Sequence, residues 1–271
     1  MSMVYAVANQ KGGVGKSTTV VNLGAYLGSR GKRVLCVDID PQGNTTTGLG
    51  IKKKHLAVSS YEVLSGKNSI QEGIIRTDFE NVSILPARNT LAGAELELSA
   101  MENRMNRLKM QILTCKMDYD YILIDCPPSL GLLTVNALTA ADYLLIPTMA
   151  ETFAASGITQ LYDTYRSVKK YTNPALEIDG VLLTRTERTR VTKTIQELTG
   201  KIAEYMGADV YRTTIRSNVI IKEAQAAQEN VFDYVEGKSQ TKGERVTESS
   251  RNFVGDCLAF VKEFVEKERE Q

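Results

Sequence analysis

The sequence predicts an α/β fold: a mostly parallel, twisted sheet flanked by helices on both faces. Three observations predict it. Short apolar runs alternate with amphipathic stretches along most of the chain. The run at residues 33–38 is apolar almost throughout, as in strands buried on both faces of a parallel sheet. The first strand-to-helix junction is a glycine- and lysine-rich loop. Right-handed crossovers between parallel strands then place helices in layers on the sheet.

The elements follow in order. Residues 4–8 form a short apolar run that stops at the glycine-rich loop. Beyond the loop, residues 18–27 place Val20, Val21, Leu23, Gly24 and Leu27 at helical spacing. The glycines between Gly28 and Gly31 end that helix, and Arg33-Val-Leu-Cys-Val-Asp38 is the second strand. Residues 82–85, 121–125, 143–147 and 180–184 are further strand candidates, separated by helical stretches. From about residue 91 to 117, Ala94, Leu98, Met101, Met105, Leu108 and Ile112 recur at three- and four-residue steps. Three heptads are few for a free coiled coil, so a single helix laying its apolar face on the sheet is expected. A last helix groups Phe253, Val254, Cys257, Leu258, Val261, Phe264 and Val265 on one face, with Lys262, Glu263, Glu266, Lys267 and Glu268 opposite. No repeat or linker divides the chain, and residues 1–271 are read as one domain.

Composition narrows the function classes. With 33 Lys and Arg against 32 Asp and Glu, the 271-residue chain is no wholesale polycation, and any nucleic-acid contact has to come from a local patch. His55 is the only histidine and lies beside Lys52, Lys53 and Lys54, which argues against a Ser-His-Asp triad or a multi-histidine metal site. Cys36, Cys115, Cys126 and Cys257 are widely spaced and read as reduced thiols. No basic, apolar leader and no apolar run of about 18 residues is present, so a cytoplasmic location is expected.

The chemistry begins in the loop Gln10-Lys-Gly-Gly-Val-Gly-Lys-Ser17, which stands after a strand and before a helix as a P-loop should. This places it among P-loop NTPase-like folds. Backbone N–H groups of Gly12, Gly13, Val14 and Gly15 would converge on phosphate oxygens. Lys16 would reach the β- and γ-phosphates, Ser17 would ligate Mg²⁺, and Thr18 would extend the contact into the helix. Gln10 stands where the general pattern has glycine, and Lys11 adds a second lysine. That K-G-G-x-G-K-[ST] form resembles the deviant Walker A loop of the ParA/MinD family of dimeric ATPases. The resemblance implies that Lys11 reaches across an ATP-dependent sandwich dimer to the partner's nucleotide, by the logic of an arginine finger.

The resemblance covers most of the chain. Val37-Asp-Ile-Asp-Pro-Gln-Gly-Asn44 is similar to the family's second signature, which implies that Asp40 orients the attacking water and leaves Asp38 as an outer, indirect contact to Mg²⁺. Tyr121-Ile-Leu-Ile-Asp125-Cys-Pro-Pro128 resembles a Walker B strand whose Asp125 holds Mg²⁺ through water, with the prolines in a switch and Cys126 a packed thiol. Glu151 aligns with an acid that contacts the partner's ribose, or it is a helix N-terminal acid favoured by the dipole. Thr184, Arg185 and Arg216 occupy adenine-binding positions, although Ile215-Arg-Ser-Asn-Val219 departs from the usual Ile-Pro-Arg-Asn-Val.

Three branches of the family compete. A membrane-bound, MinD-like division-site ATPase would end in a basic amphipathic tail, whereas residues 265–271 carry three acids and two bases, so no membrane contact is expected. Cluster and metal carriers would need paired cysteines, and Cys126 has no companion nearby. A synthetase of the dethiobiotin type remains the enzyme alternative. Between residues 180 and 222, eight bases face four acids, a local excess of four on an otherwise slightly acidic chain. Such a patch suits phosphate-backbone contact, with Arg190, Lys193, Arg216 and Lys222 as candidates. No helix-turn-helix arm precedes the first strand, so operator-specific binding is not expected. The resemblance thus implies a ParA/Soj-type partition ATPase using ATP and Mg²⁺. It would form a homodimer, bind double-stranded DNA without sequence preference, answer to a ParB-type partner, and associate with the nucleoid of a bacterium or archaeon.

Overall fold

The computed structural model describes residues 2–149, 154–186, 190–227, 229, 231–241 and 247–270. Among them, eight strands form one sheet: β1 (Met3–Val7), β2 (Val34–Asp38), β3 (Ile75–Arg76), β4 (Val82–Leu85), β5 (Tyr121–Asp125), β6 (Tyr143–Met149), β7 (Glu177–Thr186) and β8 (Val210–Arg216). Their spatial order is β3-β4-β2-β5-β1-β6-β7-β8, parallel throughout except for the β3–β4 pair. The expected parallel sheet is therefore present, and all six predicted strands lie in it. The short β3 and the edge strand β8 are additional. β8 escaped notice because Arg212, Thr213 and Thr214 interrupt its apolar alternation, as an edge position with one wet face allows.

The helices fall on two faces because side chains alternate along each strand. Val4 and Ala6 of β1 enter one core; Tyr5 and Val7 enter the other. The first core is covered by α3 (Ser60–Leu64), α4 (Ile70–Gly73), α5 (Ala94–Ser99), α6 (Arg107–Leu113), α7 (Leu132–Ala140), α8 (Ala154–Tyr171) and α9 (Arg190–Met206). The second is covered by α1 (Lys16–Ser29), α10 (Ile220–Ala227), α11 (Val231–Thr241) and α12 (Glu248–Glu270), while α2 (Asn44–Gly48) lies against α1. Gly28 lies inside α1 instead of ending it. A Cβ there would stand 2.2 Å from the Glu80 carbonyl oxygen, so glycine lets α1 approach the turn before β4, and Gly31, at φ +77°, makes the exit. Along α12, Phe253, Cys257, Val261 and Phe264 of the anticipated face are buried, Val254, Leu258 and Val265 are half-buried, and Phe260, which was not anticipated, joins the core.

The helix expected over residues 91–117 is not one helix. α5 and α6 are separated by an irregular stretch in which Asn103 is left-handed at φ +54°. Asn136 of α7 pins this break: its side chain donates to the Arg104 carbonyl at 2.7 Å and accepts from the Leu108 N–H at 3.1 Å. Ala94, Leu98, Leu108 and Ile112 are still buried, but Met105 falls on the exposed side. Two short helices satisfy the same apolar periodicity as one long helix, so the period alone could not separate them.

Candidate nucleotide-binding site

Strand register assembles the site. Val7 and Asp38 both stand opposite Asp125, so the C-terminal ends of β1, β2 and β5 deliver the glycine-rich loop and three aspartates to one edge. Parallel α/β sheets bind ligands in this crevice. The loop needs left-handed backbone at Gly13 (φ +75°) and Gly15 (φ +90°), where a side chain would be strained. Two groups outside it hold its shape. Asn9 donates to the Pro147 carbonyl at 2.8 Å and accepts from the Lys11 N–H at 3.0 Å. The Thr184 hydroxyl donates to the Val14 carbonyl at 2.7 Å, with the Thr148 carbonyl at 3.2 Å.

Lys16 is buried, and its ammonium curls over the loop to the Lys11 carbonyl at 3.4 Å. Burial pulls its pKa down, while the charges of Asp125, Cys126 and Asp40 oppose that shift. The acids divide into distinct roles. Asp38 is fully buried with both oxygens engaged: Oδ1 accepts from the Asp40 N–H at 3.1 Å, and Oδ2 from the Thr46 N–H at 2.8 Å and the Thr46 hydroxyl at 2.7 Å. Asp125 Oδ2 accepts from the Thr45 hydroxyl at 2.7 Å, while its buried Oδ1 has no hydrogen-bond partner. Burial raises the pKa of both carboxyls, and their mutual repulsion pushes Asp38 further. Asp40 is nearly buried, and its Oδ1 accepts from the Gln42 N–H at 2.9 Å.

This donor set fits Mg²⁺. Asp125 keeps one buried carboxylate oxygen without a hydrogen-bond partner, and the Ser17 hydroxyl helps to hold that acid in its charged form. Hard oxygen donors and a surplus of buried negative charge suit a hard dication. Among the described residues no cluster of three or more acidic, histidine or cysteine side chains could hold a metal alone, as expected where phosphates and water complete the shell. Asp38, with both oxygens engaged, ties the Thr46 segment to the end of β2.

A cleft of about 850 Å³ runs from Gly12, Gly13, Gly15 and Lys16 past Asp40 and Pro128 to Thr184, Arg216–Lys222 and α12. The predicted residues converge here unequally. Thr184 anchors the loop from behind. Arg185 is exposed, with Nη1 3.4 Å from the Gly13 carbonyl, at the phosphate end of the cleft. The Arg216 guanidinium is held by both oxygens of Asp256 on α12, at 2.8 and 2.7 Å, and its backbone N–H donates to the same acid at 3.1 Å. Lys222 is exposed on α10 beside the cleft. Arg190 and Lys193 begin α9, but their side chains, like Glu151 altogether, lie outside the described residues. Cys126 is packed, as expected, and burial pushes its thiol up. Sequence reasoning missed Asn9, Thr45, Thr46 and Asp256. Only the Thr45-Thr46-Thr47 run offered a signal for any of them.

A phosphate-cradling loop with two lysines, opposed by strand-end carboxylates in a parallel sheet, defines a P-loop nucleoside triphosphatase. The AAA domain family model matches residues 2–178. Sporulation initiation inhibitor protein Soj of Bacillus subtilis is 47% identical over 86% of this chain and 92% of its own length. Chromosome partitioning protein ParA of Caulobacter vibrioides is 41% identical over 85% and 86%. Among solved structures, a plasmid partition protein of Borrelia burgdorferi bound to AMPPNP superposes with a TM-score of 0.77 at 25% identity, covering 98% of this chain and 100% of that one. Cobyrinic acid a,c-diamide synthase of Mycobacterium smegmatis, with ADP and magnesium, gives 0.75 at 38% identity, covering 91% and 98%. The chain belongs to the ParA/Soj family of partition ATPases. No helix among the described residues is long and apolar enough to cross a membrane.

Proposed function

We propose that residues 1–271 act as one domain that binds Mg-ATP in this cleft, closes with a second copy into a sandwich dimer, and then holds double-stranded DNA without sequence preference. Hydrolysis, stimulated by a ParB-type partner, releases it, so nucleotide state drives cargo segregation on the nucleoid. The observation that carries the reading is the convergence of Lys16, Asp40 and the unpartnered Asp125 oxygen at the mouth of a glycine loop. Lys16 swings from the Lys11 carbonyl to the β- and γ-phosphates. Asp40 positions water in line with the γ-phosphorus and accepts its proton as the new P–O bond forms and the γ-phosphorus bond to the β–γ bridging oxygen breaks, with ADP as the leaving group. Ser17 and, through water, Asp125 would hold Mg²⁺, which when bound would supply positive charge beside the transferring group. Lys11 serves the partner's nucleotide. Arg190, Lys193, Lys222 and, once freed from Asp256, Arg216 contact DNA phosphates, while Glu151 contacts the partner's ribose.

ATP-dependent cosedimentation with random-sequence DNA and with anionic liposomes tests the reading. Pelleting with DNA alone supports it; pelleting with liposomes alone points to a division-site ATPase. Pelleting with neither favours a synthetase, the second reading that the likeness to the diamide synthase supports. Asp40→Ala is expected to trap an ATP-bound, DNA-retaining dimer. Only monomer on gel filtration with ATP would refute the role of Asp40. Lys16→Ala should abolish nucleotide binding, whereas Lys11→Ala should spare it and block dimer-dependent hydrolysis.

A further inference from the structure

The phosphate end of the cleft holds a cation that the two loop lysines do not account for. Thr184 and Thr186 of β7 are buried, whereas Arg185 between them is exposed. Its backbone is left-handed at φ +52°, a region in which an L side chain crowds its own carbonyl and which therefore persists only where the surroundings hold it. Thr184 supplies that hold through its bonds to Val14 and Thr148, and Thr186 through longer contacts at 3.4 Å to the Thr214 hydroxyl and the Ile215 carbonyl. Instead of following the strand, the Arg185 side chain lies along the loop crest. Nη1 is 3.4 Å from the Gly13 carbonyl and 3.6 Å from the Met149 sulfur, and a Cβ on Gly13 would meet the same nitrogen at 3.7 Å.

These are weak partners for a guanidinium: one long hydrogen bond and one thioether. Arg216, at the other end of the same cleft, shows the contrast, with its fork filled by Asp256. Arg185 has no carboxylate partner among the described residues. A strained backbone that aims a planar five-donor cation, without a carboxylate partner among the described residues, at a phosphate-binding loop is a poor structural device, but it suits bidentate capture of phosphate oxygens.

We propose that Arg185 is a phosphate-facing cation of the nucleotide site, which exchanges the Gly13 carbonyl and the Met149 sulfur for oxygens of the β- or γ-phosphate when nucleotide enters. This assigns it to the phosphate end instead of the adenine end, and it rests on the reading that the cleft hydrolyses ATP. With no bond made to it, Arg185 stabilises negative charge while Asp40 handles the water.

The test compares wild type with Arg185→Ala, Arg185→Lys and Arg185→Gly by equilibrium binding of ATP and AMP, by hydrolysis and by thermal melting. Loss of a charge-assisted hydrogen bond should weaken ATP binding by about 10- to 100-fold in the alanine and glycine variants. AMP binding should be unchanged, and lysine should restore part of the loss. Arg185→Gly should melt above Arg185→Ala because it relieves the left-handed strain, yet bind ATP no better. Equal losses for AMP and ATP would overturn the proposal in favour of a base contact, and unchanged ATP binding in all three variants would overturn it outright. A wild-type protein that neither binds nor hydrolyses ATP would instead remove the underlying reading, which the wild-type control reports separately.

Discussion

Replacing Thr184 with valine separates a loop anchor from a ligand contact. Thr184 is 4% exposed, and its single hydroxyl proton serves the Val14 carbonyl at 2.7 Å, with the Thr148 carbonyl at 3.2 Å. Valine keeps the shape and removes the donor, leaving a buried loop carbonyl unsatisfied, which costs about 1–3 kcal/mol. In a chain of this size each kcal/mol lowers Tm by ~2–4 °C, so a fall of about 2–12 °C is expected in the absence of nucleotide. If the unanchored loop must be re-formed on binding, a cost near 2 kcal/mol weakens ATP by up to ~30-fold. Thr184→Ser retains the hydroxyl and should lie close to wild type in both measurements. Paired melting curves and ATP titrations decide the matter. A valine variant that melts with wild type but binds ATP poorly would show that Thr184 meets the ligand and does not brace the loop, and the reasoning would fail.

Two further outcomes follow from packing and charge. Gly28→Ala places a methyl 2.2 Å from the Glu80 carbonyl and 2.7 Å from Val82 Cγ2; since one of these is backbone, α1 must shift. A loss of about 1–3 kcal/mol is expected in denaturant titration, with kcat per folded molecule retained, and an unchanged midpoint would contradict the close approach. Asp256→Asn frees the Arg216 guanidinium from a half-exposed pair worth ~1 kcal/mol or less after screening. DNA affinity at low salt should rise, and the slope of log affinity against log salt should steepen by about 0.9 per added phosphate contact. Unchanged slope and affinity would place Arg216 outside the DNA surface.

The parts of the site that were legible share one property: they are contiguous. Lys11 to Ser17, Asp38 with Asp40, and Tyr121 to Asp125 each carry their chemistry in adjacent residues, so spacing alone exposes them. The strands were legible for a similar reason, because β2, β5 and β6 are buried on both faces and are apolar along most of their length. Thr45 on Asp125 and Asp256 on Arg216 were not legible, since the partners are 80 and 40 residues apart and no local pattern joins them.

Sequence alone therefore determined the α/β class, the phosphate-binding loop and its two lysines, and the acids that end β2 and β5. Only the tertiary structure decided what each group has left to offer. It showed both oxygens of Asp38 engaged, one oxygen of Asp125 without a partner, Arg216 held by α12, and Arg185 turned toward the loop crest. It also split one apparent helix at Asn103. The physical reason is common to these cases. Propensity and periodicity act over a few residues, whereas the remaining capacity of a buried polar group depends on which distant strand or helix has already satisfied it.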